Sequence, residues 1–332
     1  ERLLGPFALV AVDSKARRVV CARDALGDRT LFYFADAETL AIASEECALL
    51  AHPSVSSRLD ETTVARFYAV EAPLPGATFF ADIRELPAAH AMAVEQGRTS
   101  RMKMWRHWHL DSLERLALQS DREYVERFRE VLAESVRCRL RCPSPPAVLM
   151  SGGLDSTPVA ALAALELRNR GSTQSLPAIS WVFDELSTCD EREYIRPVAE
   201  QFGLNSILIP GDDTWPLSDL STWPVNPNTP LQNLYRRLIS RAYSAAREAG
   251  TTTVLTGADG DWLYSADPYW LRDLLSDRRY LEAFKLLAGE LIQRTSKLRG
   301  RSPGLRSTIA RAVGREPVSY THLTLPTNII RC

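Results

Sequence analysis

Cysteine, histidine and methionine are scarce in this sequence, and neither sign of charge is in excess. Six cysteines stand at positions 21, 47, 138, 142, 189 and 332 of a 332-residue chain. They are too few and too scattered for a disulfide scaffold, which points to a reducing, cytoplasmic setting. Cys138 and Cys142 are close enough to suggest a metal pair. No second Cys or His pair stands at a zinc-like distance, so two residues of one helix face are the preferred reading. His107 and His109 flank Trp108 without an acidic or Cys partner nearby, and read as a packed or solvated pair. Lys plus Arg number 40 and Asp plus Glu 41, a formal charge of −1. That balance argues against a general nucleic-acid binder. The longest strongly apolar stretch, Val159–Leu165, ends at Glu166. It falls far short of the roughly 20 apolar residues of a membrane helix.

What is present is ordinary globular composition, 45% hydrophobic and 24% charged. A sizeable core is therefore affordable, and disorder throughout is excluded. At about 100–200 residues per domain the length suggests two domains. The chain opens at Glu1 and runs at once into Phe7-Ala8-Leu9-Val10-Ala11-Val12, which reads as a strand already in progress. An internal piece of a longer protein is the expectation. The last stretch, 317–332, does not continue the pattern of the basic region before it and is expected to be foreign to the fold.

Within 1–112, short runs at 7–12, 18–22, 31–34, 40–43, 78–85 and 89–95 read as antiparallel strands, with one helix near 61–70. From 120 to 316 the character changes. Ser120-Asp121-Arg122-Glu123 is a capping box. It opens a helix with Tyr124, Val125, Phe128, Val131, Leu132, Val136 and Leu140 on one apolar face. Strands at 147–150, 178–183, 206–209 and 252–256 then alternate with helices at 157–168, 192–202 and 231–249, the last two closed by Gly203 and Gly250. Such alternation predicts an α/β fold with a parallel sheet.

The segment that carries chemistry is Ser151-Gly152-Gly153-Leu154-Asp155-Ser156. It follows a strand and opens a helix, so it sits where open α/β sheets bind ligands. The glycines allow close backbone approach, and the helix amides and dipole favour an anion. Ser151 and Ser156 add hydroxyl donors. Asp155 has two roles open to it, holding a magnesium ion or capping the helix. The segment lacks the Gly-Lys-Ser/Thr ending of the ordinary P-loop.

This hexapeptide resembles the pyrophosphate-binding loop of the ATP-pyrophosphatase superfamily, whose members cleave ATP to AMP and pyrophosphate to activate a carboxylate or carbonyl oxygen. The flanks resemble the asparagine synthetase family. Leu4 through Ala8, Ala22 through Tyr33 and Ala43-Ser44-Glu45 are similar to the later part of its glutaminase domain. Pro75 through Phe80 and Trp105 through Trp108 are similar to the approach to its synthetase domain. Asp190-Glu191, Val198-Ala199 and Thr256-Gly257 fall on later blocks. The resemblance implies a parallel-sheet, Rossmann-like ATP-pyrophosphatase domain preceded by an incomplete Ntn-type α+β glutaminase domain.

It also implies a function: ATP-dependent amide-bond formation through an acyl-adenylate, as in glutamine-hydrolysing asparagine synthases. The implied substrate is a carboxylate, aspartate or one on a peptide, and the nitrogen comes from ammonia or an amine. ATP and Mg2+ are the implied cofactors; nucleic acid and membrane are not implied partners, and a homodimer stays open. ATP contacts fall on Met150, Ser151, Gly152, Gly153, Leu154, Asp155, Ser156, Trp181, Thr256 and Gly257. Asp155 and Asp261 fall on the magnesium site, and Asp261 on the catalytic acid. Trp181 reads equally well as a core aromatic.

Three departures qualify that picture. None of the six cysteines stands in for the family's N-terminal nucleophile, so the chain is expected not to hydrolyse glutamine. The family turn runs Gly, Glu, Gly, any residue, Asp, Glu, whereas this one is Gly257-Ala258-Asp259-Gly260-Asp261-Trp262. The family's catalytic lysine falls beyond residue 332. The altered turn, followed by Tyr269 through Leu275, looks like the peptide-tailoring relatives that include lasso-peptide cyclases. A tRNA-modifying enzyme would need a basic stripe or Cys-x-x-Cys, which are absent here. A non-catalytic homologue is favoured by Ala258 and opposed by the intact loop.

Overall fold

The computed structural model describes residues 3, 5–95, 102–110, 116–142, 144–216, 220–222, 226–230, 233–260, 263 and 270–296. The chain divides into two compact units, Glu1–Tyr124 with Asp219–Leu234, and Val125–Ser218 with Tyr235–Cys332.

The first unit carries β1 (Ala8–Asp13), β2 (Arg18–Arg23), β3 (Phe32–Ala35), β4 (Leu40–Ala43), α1 (Glu46–Leu50), α2 (Glu61–Tyr68), β5 (Arg84–Glu85), β6 (His90–Glu95) and β7 (Lys103–Arg106). Its strands form two antiparallel sheets, ordered β1-β2-β6-β7 and β4-β3-β5. The strand expected over 78–85 shrinks to β5. Thr78 is the reason: its Oγ1 accepts from the Phe80 amide at 3.1 Å and lies 3.0 Å from the Ile83 carbonyl. A side chain that bonds its own local backbone competes with a ladder. Asp60 caps α2 by accepting from Thr63 N at 2.7 Å. That helix ends two residues earlier than its pattern suggested, where Val70 turns left-handed at φ 58°.

Asp24 organises this unit. It is 3% exposed. Its carboxylate accepts from the amides of Phe7 (3.3 Å), Leu26 (3.1 Å), Asp28 (3.0 Å) and Arg29 (3.0 Å). The neighbouring Arg23 guanidinium donates to the carbonyls of Arg29, Leu86 and Gly27, and pairs with Glu85 at 2.6 Å. One buried acid and one buried base thus tie down a turn that could not hold itself. Cys21, on β2 beside them, is fully buried, and burial pushes its thiol up to about 11. A thiol so placed is inert.

The second unit carries α3 (Asp121–Arg139), β8 (Ala147–Leu149), α4 (Ser156–Asn169), β9 (Pro177–Val182), α5 (Arg192–Phe202), β10 (Asn205–Pro210), α6 (Arg236–Glu248), β11 (Val254–Leu255), α7 (Trp270–Ser276) and α8 (Tyr280–Ser296). Its strands are parallel and ordered β10-β9-β8-β11. Alternation along the strands serves both faces. Val148 and Ala178 join Ala160 and Ala163 of α4 and Ile195 of α5 in one core. Ala147 and Ile179 join Ala242 and Ala246 of α6 in the other. Alanine on α4 and α6 lets the helices lie close to the sheet. Gly203 and Gly250 end α5 and α6 at φ 61° and 75°, as helix-stop glycines do. Leu204 N then reaches Ala199 O, and Thr251 N reaches Ala246 O.

Two helix readings are corrected. The helix expected from residue 231 begins at Arg236, because Tyr235 stands at φ −97°, ψ 22°, outside helical geometry. On α3, Val136 and Leu140 enter the core, but Tyr124, Val125, Phe128 and Val131 are exposed. The core meets only the last turns of that helix. Its capping box is half formed: Ser120 Oγ accepts from Glu123 N at 3.4 Å, while Glu123 reaches the Gln119 amide instead of that of Ser120. Among the described residues no helix is long and apolar enough to cross a membrane.

Asp24 generates a prediction. Burial alone would raise its pKa, but the amides of Arg29, Asp28 and Phe7 outweigh that and hold the carboxyl below its usual range. A depressed native pKa gives stability that is present above the unfolded value, about 3.9, and is lost as pH falls through the native one. Asp24→Asn is expected to cost about 1.5–3 kcal/mol at neutral pH, since amide bonds to a charged acceptor are replaced. Urea unfolding should show that gap, and the gap should close as pH drops below about 4. Equal midpoints at neutral pH would remove Asp24 from its organising role.

Candidate nucleotide-binding site

The strand order fixes where a ligand fits. From β8 the chain crosses to β9 on one side, and β11 returns to pair with β8 on the other. The order therefore reverses between β8 and β11, and open α/β sheets bind ligands at the carboxyl end of such a switch. Two connections meet there, the loop 150–155 that leads into α4 and the turn 256–260 that follows β11. The sequence places its hexapeptide on the first and Thr256-Gly257 on the second, so the fold brings both groups together.

The loop is closed by its own serines. Ser151 N donates to Ser156 Oγ at 3.1 Å, and the two hydroxyls lie 3.1 Å apart. Gly153 N donates to Ser151 Oγ at 3.4 Å. Ser156 is buried, so its hydroxyl shapes the loop, a use the sequence did not suggest. Gly152 alone of the glycine pair takes a positive φ, 77°. A Cβ on it would stand 2.7 Å from Tyr194 Cβ and 3.2 Å from Ile195 N. The first turn of α5 thus presses on the loop backbone, leaving room for glycine only. Leu154 projects from the loop, 92% exposed. Thr157 Oγ1, one residue into α4, is buried and finds no hydrogen-bond partner among the described residues.

The turn after β11 approaches as closely. A Cβ on Gly257 would lie 2.5 Å from Ser156 N and 2.6 Å from Asp155 C. A Cβ on Gly260 would lie 2.6 Å from Asp155 Oδ1 and 2.7 Å from Asp155 Cβ. Between them Asp259 takes φ 66° and is exposed. Thr256 Oγ1 accepts from Ala258 N at 3.4 Å, and Gly260 N donates to Gly257 O at 3.2 Å. Asp155 makes no capping hydrogen bond to α4. Of the two roles open to it, the helix cap is not taken. Its carboxylate lies instead over Gly260, beside the helix N-terminus, and suits a hard divalent cation. Asp261 and Trp262 lie outside the described residues.

Met150 and Trp181 are placed less suggestively. Met150 is 2% exposed; its amide donates to Ile179 O at 2.9 Å and its carbonyl accepts from Ser180 Oγ at 2.6 Å. Trp181 is half-buried against the α6 face of the sheet and donates from Nε1 to Leu238 O at 3.2 Å.

Acids gather where the chain leaves β9 and β10. Asp190 accepts from Phe183 N at 3.0 Å, and Arg192 pairs with Asp184 at 2.5 Å and with Asp190 at 3.4 Å. Asp212 accepts from the Asp184 and Glu185 amides, both at 2.9 Å; those bonds, led by Asp184's, hold it below the usual carboxylate range. Burial, aided by Asp190, pushes Glu191 up. Tyr194, Asp212 and Gly260 were missed by sequence reasoning. Only the Gly at 260 left a signal, a glycine one position later than its family turn has it.

The geometry sets a stability order. Gly152→Ala is expected to cost roughly 1–3 kcal/mol for the left-handed backbone alone, with the α5 collision added. Ser156→Ala should cost about 1 kcal/mol, the worth of its bond from the Ser151 amide. Denaturant midpoints test this; a Gly152→Ala protein as stable as its parent would mean that the loop is not pinned against α5.

Two families match the chain, one after the other, and the second match runs to residue 325, into the stretch expected to be foreign to the fold. A glutamine amidotransferase domain family matches residues 1–106, and the asparagine synthase family matches residues 127–325. Asparagine synthetase [glutamine-hydrolyzing] 3 of Bacillus subtilis is 30% identical over 172 residues, 52% of this chain and 27% of that protein. Amidase chry2 of Gibberella zeae is 27% identical over 290 residues, 83% of this chain and 42% of that protein. Amidase chyE of Penicillium rubens is 27% identical over 287 residues, 83% of this chain and 42% of that protein. The chain thus spans less than half the length of these relatives. On the match over 127–325 the chain belongs to the asparagine synthase family.

Proposed function

We propose that the second unit is the ATP-using part of an amide-forming ligase. The observation that carries the reading is the meeting of two glycine turns at the β8/β11 switch, where the Asp155 side chain lies over Gly260 beside the α4 N-terminus. In this reading the loop 151–156 receives the β- and γ-phosphates through backbone amides. A carboxylate oxygen of the substrate attacks the α-phosphorus, and the bond to pyrophosphate breaks. Ammonia or an amine then attacks the acyl carbon, a proton leaves the nitrogen, and AMP departs. Asp155 would hold magnesium together with Asp261, and the ion when bound offsets phosphate charge. Loop donors aimed at developing charge are each worth about 10²–10³ in rate.

The substrate is a carboxylate, aspartate or one on a peptide. Ala258 favours the second, since the turn lacks the acid that the asparagine-forming relatives carry there. The relatives named amidase support a product range wider than asparagine. The first unit contributes no cysteine nucleophile in this reading: the Cys21 thiol is buried and pushed up to about 11, and desolvation with a hydrogen bond to Glu45 pushes the Cys47 thiol up as well.

Pyrophosphate release tests the reading on the full-length gene product, with aspartate and separately with a peptide bearing one side-chain carboxylate. The expected result is carboxylate-dependent release, with AMP as the other product. Release of ADP and phosphate, or none with either substrate, would overturn it. Glutamate release from glutamine by the chain as given is expected to be absent.

A further inference from the structure

We propose that Gly260 is a positioning residue for Asp155: the bare backbone of the second turn is the surface that holds the Asp155 carboxylate toward the metal accompanying the nucleotide. The inference rests on the ATP reading of the site and goes beyond it, because the family resemblance leaves position 260 unconstrained and puts its glycine at 259. In this chain the two are exchanged. Asp259 takes the left-handed φ of 66°, a conformation that Asp tolerates better than most side chains. The glycine falls one residue later, onto the surface facing Asp155.

The contact is specific to one side chain. A Cβ at 260 would fall on the Asp155 side chain, against Cγ and within 2.6 Å of Oδ1 and 2.7 Å of Cβ. At Gly257 the corresponding Cβ meets backbone, Ser156 N and Asp155 C. The two glycines therefore do different work. Gly257 lets the turn approach the start of α4, while Gly260 leaves space that the Asp155 side chain fills. The carboxylate turns on two side-chain torsions and can move off a methyl at 260, whereas Asp155 Cβ is fixed by its backbone and is pressed by that methyl as well. The turn is stiffened by Gly260 N to Gly257 O at 3.2 Å and Leu263 N to Asp259 O at 3.2 Å. It cannot easily retreat, so the carboxylate must.

Gly260→Ala, Asp155→Gly and the double variant test this by calorimetry of ATP with and without magnesium, alongside thermal unfolding. The parent chain should bind the magnesium complex more tightly than free ATP. Gly260→Ala should weaken the magnesium complex by about 10–100-fold, the usual cost of losing support behind a metal-holding group, and leave free ATP within about twofold. In the Asp155→Gly background Gly260→Ala should change neither affinity. Equal losses for both forms of ATP, or additive effects in the double variant, overturn the proposal. Should Gly260→Ala fail to fold, recovery of the fold in the double variant supports the contact, and failure of both overturns it. A parent chain that binds neither form of ATP removes the functional reading and the metal role together. A parent with metal-dependent binding that Gly260→Ala leaves intact overturns this proposal alone.

Discussion

Two backbone turns meet over the carboxyl ends of β8 and β11, and the space between them holds no room for a side chain at 257 or 260. That close approach follows from strand order. Because β11 pairs with β8, the connections leaving both strands emerge side by side. Each must then give way to the other or dispense with Cβ atoms. The chain does the latter, and it repeats the device at Gly152 against the first turn of α5. The two turns thus meet backbone to backbone at 257 and against the Asp155 side chain at 260, and the helix amides that suit an anion lie where the loop emerges over the carboxyl ends of the strands. Ser151 and Ser156 then spend their hydroxyls on each other, fixing the loop before any ligand arrives.

The first unit solves a different problem by different means. Its strands are antiparallel and short, and the turn from Asp24 to Arg29 carries amides that no ladder can satisfy. Asp24 accepts them from within the fold, and Arg23 satisfies the carbonyls around it. Removing either side chain is costly because the backbone groups it satisfies would be left without a partner. In the block from Ala22 to Tyr33, Arg23 and Asp24 shape the structure.

The parallel α/β half was legible because period and punctuation agree there. Gly203 and Gly250 mark real helix ends, and the apolar runs at 147–150 and 178–183 become β8 and β9. Less was legible where side chains compete with backbone. Thr78 breaks a run that reads as strand, and β7 and α1 have no periodic signal of their own. The apolar face of α3 misled in another way: its spacing is helical, but the core meets only Val136 and Leu140. In the site, the hexapeptide and Thr256-Gly257 were readable as motifs. The internal bond of Ser156, the pressure of Tyr194 on Gly152 and the partnership of Gly260 with Asp155 were not. Each joins residues distant in sequence, or depends on a φ angle that letters do not encode.

The central claim is that phosphates bind at the loop after β8 and the turn after β11, over the carboxyl ends of those strands. Hydrogen–deuterium exchange on the chain, with magnesium and ATP present or absent, addresses it directly. The account predicts slowed exchange in peptides covering 150–157 and 256–260 and no change in those covering β1 and β2. Protection confined to other segments, or none at saturating nucleotide, would contradict it.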